Sequence, residues 1–179
     1  ANTPLGAQIS EIFSQLEHEL PPSPHKREVL AALREDYTGE DSLSESFGRW
    51  LMRCLSSYGI IFIDPSDPAI RHLQKHVFHR EIAESSPSTQ AALQAIEALE
   101  QAGYRPQVPL RDGHLNLFYN DGERIPLEIS GDEIIGSKGD LKFTREGLTE
   151  EAGTHPEKFG PNVILRGITQ DVLFPTLAY

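Results

Sequence analysis

The sequence has a single cysteine, Cys54, so it can form no internal disulfide and no cysteine-rich zinc site. That scarcity suits a reducing compartment, and the expected location is cytoplasmic. Basic residues are also few. Sixteen lysines and arginines stand against 27 aspartates and glutamates, a formal net charge of −11. So acidic a chain lacks the basic footprint of a nucleic-acid or anionic-membrane binder, and neither is expected as a partner. The longest apolar run, Gly59 to Ile63, is far short of a membrane span. No basic-then-apolar leader opens the chain. Familiar site signatures are missing too. There is no Gly-x-Gly-x-x-Gly, P-loop, Gly-x-Ser-x-Gly or His-Glu-x-x-His, and the enzyme classes they mark receive no support.

What is present is enough apolar sequence for a core: 38% of 179 residues, with 24% charged. The length suits one domain or slightly more. The chain stops on Phe174-Pro175-Thr176-Leu177-Ala178-Tyr179, an apolar stretch. Domains seldom stop inside such a segment, so a piece of a longer protein is expected.

Residues 1–58 read as a helical part. Ile9, Ile12, Phe13, Leu16 and Leu20 share one helical face, which Pro21-Pro22 ends. Ser23-Pro24 reads as the cap of a second helix, with Val29, Leu30 and Leu33. Ser42 with Glu45 is a capping-box pattern for a third, whose stripe is Phe47, Leu51, Cys54, Leu55 and Tyr58.

Residues 59–179 read as an α/β core segment. Gly59 to Pro65 is apolar and β-branched, the mark of a buried parallel strand. Asp67-Pro68 and Ser86-Pro87 each open a helix. Gln107 to Leu110 reads as a strand. Leu115 to Tyr119 and Glu123 to Ile129 flank the hairpin signal Asn120-Asp121-Gly122, in an antiparallel region of about 107–139. Asp132 to Ile135 adds a strand, and Thr144 caps a short helix. Asn162 to Leu165 reads as a last β-branched strand. The fold class is α/β: a partial Rossmann-like sheet with flanking helices and an antiparallel hairpin region.

In such a sheet ligands sit beyond the carboxyl ends of the strands, where Asp64 and Arg166 would lie. Asp64 is either a site residue or part of the Asp64-Pro65-Ser66-Asp67-Pro68 turn. Arg166, with Gln170 and Asp171, either holds a zwitterionic substrate or forms an internal ion pair. His72, His76 and His79 share a helix, as a metal site or as a solvated face with Arg71, Lys75 and Arg80. Cys54, on an apolar stripe, reads as a buried, inert residue.

Three stretches carry a family resemblance. They are Phe159-Gly160-Pro161-Asn162-Val163-Ile164-Leu165-Arg166 with Gln170-Asp171 and Pro175-Thr176-Leu177-Ala178-Tyr179; Ser57-Tyr58-Gly59 to Asp67-Pro68; and Asn116-Leu117-Phe118 with Arg124. Together they resemble the BshC family, assigned to cysteine addition in bacillithiol biosynthesis. Gly160 and Gly167 stand where that family usually has Ser and Pro. Members are about three times longer, which would make this chain a central fragment whose site is completed elsewhere, so that it is inactive alone.

The resemblance implies a Rossmann-like core and a ligase that joins cysteine to glucosaminyl malate through an amide bond. It implies those small molecules as substrates and leaves room for ATP or ADP, although no cofactor is evident in the sequence. An oligomer is open for the longer protein. Asp64, Arg166 and Asp171 are the implied catalytic candidates; Asn116, Arg124, Asn162 and Gln170 are the substrate-binding ones. No metal ligand is assigned. Two alternatives stand beside this: a non-catalytic docking or regulatory domain, and a metal-dependent hydrolase using the three histidines.

Overall fold

The computed structural model describes residues 4–137 and 141–174. It separates into two compact units, 1–63 and 64–179. No helix among the described residues is long and apolar enough to cross a membrane.

The first unit is helical: α1 (Gln8–Glu19), α2 (Lys26–Asp36) and α3 (Leu43–Leu55). The capping box forms as expected. Ser42 Oγ accepts from the Glu45 backbone N–H at 3.3 Å, and Glu45 Oε2 accepts from the Ser42 N–H at 2.9 Å. Ser23 does not cap α2. That helix starts at Lys26, and the Ser23 hydroxyl accepts from the His25 N–H one turn early. Cys54 is exposed, which corrects its expected burial.

α2 and α3 are tied by the buried Asp36, which takes a forked bond from Arg53, Nε to Oδ2 at 2.7 Å and Nη2 to Oδ1 at 2.9 Å. The Arg53 guanidinium holds the Asp36 carboxyl below the ordinary aspartate range. A depressed folded-state pKa stabilises above the unfolded value of about 4, and the gain is lost as pH falls through the folded value. The urea midpoint of this unit, followed by helical circular dichroism, is therefore expected to drop between about pH 5 and pH 2. Arg53→Ala is expected to make that drop shallower.

The second unit is mixed α/β. In chain order it runs α4 (Pro68–Ala83), α5 (Pro87–Gln101), β1 (His114–Asp121), β2 (Glu123–Ser130), β3 (Glu133–Gly136), β4 (Lys142–Thr144), α6 (Arg145–Thr154), β5 (Phe159–Pro161) and α7 (Val163–Leu173). Asp67 caps α4 through the Ala69 N–H at 2.8 Å, and Thr144 caps α6 through the Gly147 N–H at 3.1 Å. The strand order is β4-β3-β2-β1-β5, with every neighbouring pair antiparallel. Gly122 turns the β1–β2 hairpin at φ +70°, a conformation glycine adopts without strain. One core joins Val77, Phe78 and Ile82 of α4 to Leu115, Leu117 and Tyr119 of β1. Leu127, Ile134, Leu148, Ala152, Phe159 and Leu165 complete it.

Three expected strands do not form. Residues 60–63 take no strand partner, and Ile61 is 83% exposed, so the parallel strand is absent. Residues 107–110 follow Pro106 and contain Pro109, and both prolines lack the N–H a ladder needs. Asn162 to Leu165 instead starts α7. Asn162 Oδ1 accepts from the Ile164 and Leu165 N–H groups at 2.9 and 3.2 Å, and Leu165 and Thr169, four apart, are its buried face. The far end of the 107–139 region falls partly outside the described residues.

Candidate functional site

Two helices of the second unit open in the same way. Asp67 caps α4, and Arg71 lies four residues on; Asn162 caps α7, and Arg166 lies four residues on. Each arginine ends the first turn, near the positive end of the helix dipole, where stability alone favours an acidic side chain. Arg124 arrives from β2. Its guanidinium stacks over the Phe118 ring at 4.1 Å, and its Nη2 donates to the Pro161 carbonyl at 3.1 Å.

Arg71 is half-buried and donates from Nη1 to Gln74 Oε1 at 3.3 Å. Its Nη2 lies against Gly160: a β-carbon there would sit 3.6 Å from it. Gly160-Pro161 of β5 is thus the floor that Arg71 and Arg124 share. Burial lowers the Arg71 pKa first, and the like charges of Arg124 and Arg166 lower it further, against an opposing pull from Asp64. Among the described residues, none of the three guanidiniums has a carboxylate within ion-pair distance. In a chain with net charge −11, Arg71 with Arg124 and Arg166 in electrostatic reach of it is a candidate local positive site. Planar forked donors of this kind hold carboxylates or phosphates.

Asp64 does not end a strand. Its Oδ1 accepts from the Ser66 N–H at 2.7 Å and the Ser66 hydroxyl at 2.6 Å, bonds that keep it below the usual aspartate range. It belongs to the turn before α4, exposed and within electrostatic reach of Arg71. Gln170 follows Arg166 by one helical turn and shares its side of α7. Asp171, about 140° further round than Arg166, points elsewhere, and the two form no ion pair.

Asn116 and Asn162 lie deeper. Pro126 of β2 lacks an N–H, and the β1–β2 register slips between Leu115 and Phe118. The slip frees Asn116 for other partners. Its N–H donates to Glu81 Oε1 at 3.2 Å, and its carbonyl accepts from the Asn162 N–H at 3.0 Å. Its Nδ2 donates to Ser88 Oγ at 2.7 Å and Thr89 Oγ1 at 2.8 Å; its Oδ1 accepts from Asn162 Nδ2 at 2.7 Å. Asn116 is fully buried, and its amide nitrogen and oxygen both bond within the protein.

Arg71, expected on a solvated face, is half-buried and joins the candidate site. The signal for it was present: the cap-to-arginine spacing of four recurs at Arg166. His72, His76 and His79 follow Arg71 on α4, but among the described residues no group of three or more His, Cys, Asp or Glu side chains is arranged to hold a metal.

The family model described as "Bacillithiol biosynthesis BshC, N-terminal Rossmann-like domain" matches residues 1–179. Similar curated proteins carry the name "Putative cysteine ligase BshC". That of Chlorobium phaeobacteroides is 32% identical over 98% of this chain and 31% of its own length. That of Prosthecochloris aestuarii is 33% identical over 100% of this chain and 32% of its own. That of Koribacter versatilis is 34% identical over 84% of this chain and 28% of its own. The chain spans about a third of the length of these relatives. The match is to the family's N-terminal Rossmann-like domain.

Proposed function

The chain belongs to the BshC family, and on that premise we propose that it is part of an amide-forming ligase that joins cysteine to glucosaminyl malate. In that reaction the cysteine carboxyl carbon exchanges its bond to one oxygen, which leaves with the group that activates the carboxylate, for a bond to the amino nitrogen of the acceptor, which gives up a proton. The observation that carries the reading is the unpaired cluster of Arg71, Arg124 and Arg166. Both substrates carry carboxylates, and an acidic protein needs a local concentration of positive charge to hold them. Arg71, half-buried, makes the least screened contact. Arg124 is pinned by Phe118 and the Pro161 carbonyl, so it loses little freedom when a carboxylate arrives. Gln170, on the Arg166 side of α7, can orient a substrate amide or hydroxyl. Asp64, ionised and exposed, can face the cysteine ammonium.

Making an amide from a free carboxylate is uphill in water, so a nucleotide that activates the carboxylate belongs to the proposal. The residues of this chain do not fit one well. The sequence has no glycine-rich phosphate loop, and the arginines are occupied by substrate carboxylates in this reading.

The test is product formation by the full-length parent, wild type and Arg166→Ala, with the amide product followed by mass. The variant is expected to raise the KM for glucosaminyl malate by about tenfold, the loss of one charge-assisted contact to an exposed arginine. Unchanged turnover and KM in a folded variant would remove Arg166 from the site.

A further inference from the structure

The molecule holds one polar cluster that the arginine site does not use. Glu81, Ser86, Ser88, Thr89 and Asn116 are all buried, at 0–6% exposure. Glu81 sits on α4 with no cation among its described partners. Its Oε1 accepts from Ser88 Oγ at 2.6 Å, Ser86 Oγ at 2.7 Å and the Asn116 N–H at 3.2 Å; its Oε2 accepts from the Ser88 N–H at 3.4 Å. Ser85 and Ser86, which bring these donors round, both have positive φ, at +57° and +62°. Two consecutive non-glycine residues in that region cost conformational energy, which the surrounding bonds must offset.

The bonds run in one direction. Asn162 Nδ2 donates to Asn116 Oδ1, Asn116 Nδ2 donates to Ser88 Oγ, and Ser88 Oγ donates to Glu81 Oε1. Each amide and hydroxyl has its orientation set by the next, and the series ends on an acceptor-only group. At its other end stands Asn162, whose Oδ1 caps α7 and so fixes the first turn that carries Arg166. The preceding carbonyl, of Pro161, receives Arg124. One buried carboxylate on the helix that carries Arg71 is therefore bonded, link by link, to the segment that places the other two arginines.

We infer that Glu81 is a positioning residue of the arginine site: through Ser88, Asn116 and Asn162 it holds the start of α7, and with it Arg166, in register with Arg71. The inference rests on the proposed reading of that site as the holder of substrate carboxylates. A glutamine at 81 has the same shape and keeps an oxygen for the donors on Oε1, but it loses the negative charge that draws them and sets an N–H₂ against the Ser88 N–H in place of Oε2, so it weakens the last link. A serine-to-alanine change at 88 keeps the carboxylate and the second Asn116 acceptor, Thr89 Oγ1, and only cuts the link.

The experiment is a double-mutant cycle in the full-length parent, read as the KM for glucosaminyl malate. Glu81→Gln and Ser88→Ala are each expected to raise that KM by about tenfold, the scale of a misplaced binding group. In an Arg166→Ala background each is expected to add less than about twofold, because the group they position is gone. If Glu81→Gln does not accumulate as folded protein, Ser88→Ala decides alone. Losses that multiply with that of Arg166→Ala overturn the inference, since they show a general structural effect. So does an unchanged KM in folded Ser88→Ala while Arg166→Ala alone raises it. An unchanged KM in Arg166→Ala alone removes Arg166 from the site, and overturns the positioning role with it.

Discussion

Alanine in place of Arg71 is expected to raise the KM for glucosaminyl malate by roughly ten- to a hundredfold in the full-length protein. A charge-assisted hydrogen bond is worth about 1.5–3 kcal/mol, and every 1.4 kcal/mol is tenfold in affinity. The upper part of that range applies because Arg71 is half-buried, where solvent screens it less than the exposed Arg124 and Arg166. Stability should move little. The change removes the donor to the buried Gln74 Oε1, which costs about 1 kcal/mol. It also removes repulsion from Arg124 and Arg166 and a cation from the positive end of α4, which offsets that cost. A large KM effect with a nearly unchanged urea midpoint is the signature of charge held for a ligand. A midpoint that falls together with the KM would instead mark Arg71 as structural.

The second large effect is on folding. Phe159→Ala is expected to destabilise the α/β unit by about 3–5 kcal/mol. Phe159 is fully buried, its ring packed 5.5 Å edge-on from Tyr119 and 6.3 Å from Phe78. It therefore ties the edge strand β5 to both β1 and α4. Domains of this size have only about 5–15 kcal/mol to lose. The same strand carries Gly160 and Pro161, against which Arg71 and Arg124 rest, so the site should loosen before the unit unfolds. Urea unfolding of the chain measures the first effect. A loss under about 1 kcal/mol would show that β5 is not part of the cooperative core.

Much of this architecture could be read from local chemistry. The Ser42/Glu45 box, the Asp67-Pro68 and Thr144 caps and the Asn120-Asp121-Gly122 turn all act within a few residues, and all form. What failed depended on distant partners. Gly59 to Ile63 is apolar enough for a buried strand, but no neighbouring strand pairs with it. Val163-Ile164 is β-branched, yet the Asn162 side chain offers the backbone a helical start, and Leu165 and Thr169 bury one side of that helix. Ser86 does not cap α5 because its hydroxyl is drawn to Glu81.

Of the arginines of the candidate site, Arg124 and Arg166 stand out in the sequence, but the strand end expected at Arg166 is a helix start. Arg71 was hidden among basic and histidine neighbours on α4, of which only it turns inward to Gln74 and Gly160. Asn116 stands out in the sequence only through the family resemblance. Its place, however, is set by the bulge opposite Pro126, which brings it to Glu81, 35 residues away in sequence. No spacing rule joins two such positions; only the folded sheet does.

The most direct measurement of the central claim is isothermal titration of the full-length protein with glucosaminyl malate, comparing wild type with Arg71→Ala. Expected is clear binding by the wild type and a Kd weakened at least about tenfold in the variant, with both proteins equally folded by circular dichroism. Equal Kd values for the two would contradict a carboxylate site built on these arginines.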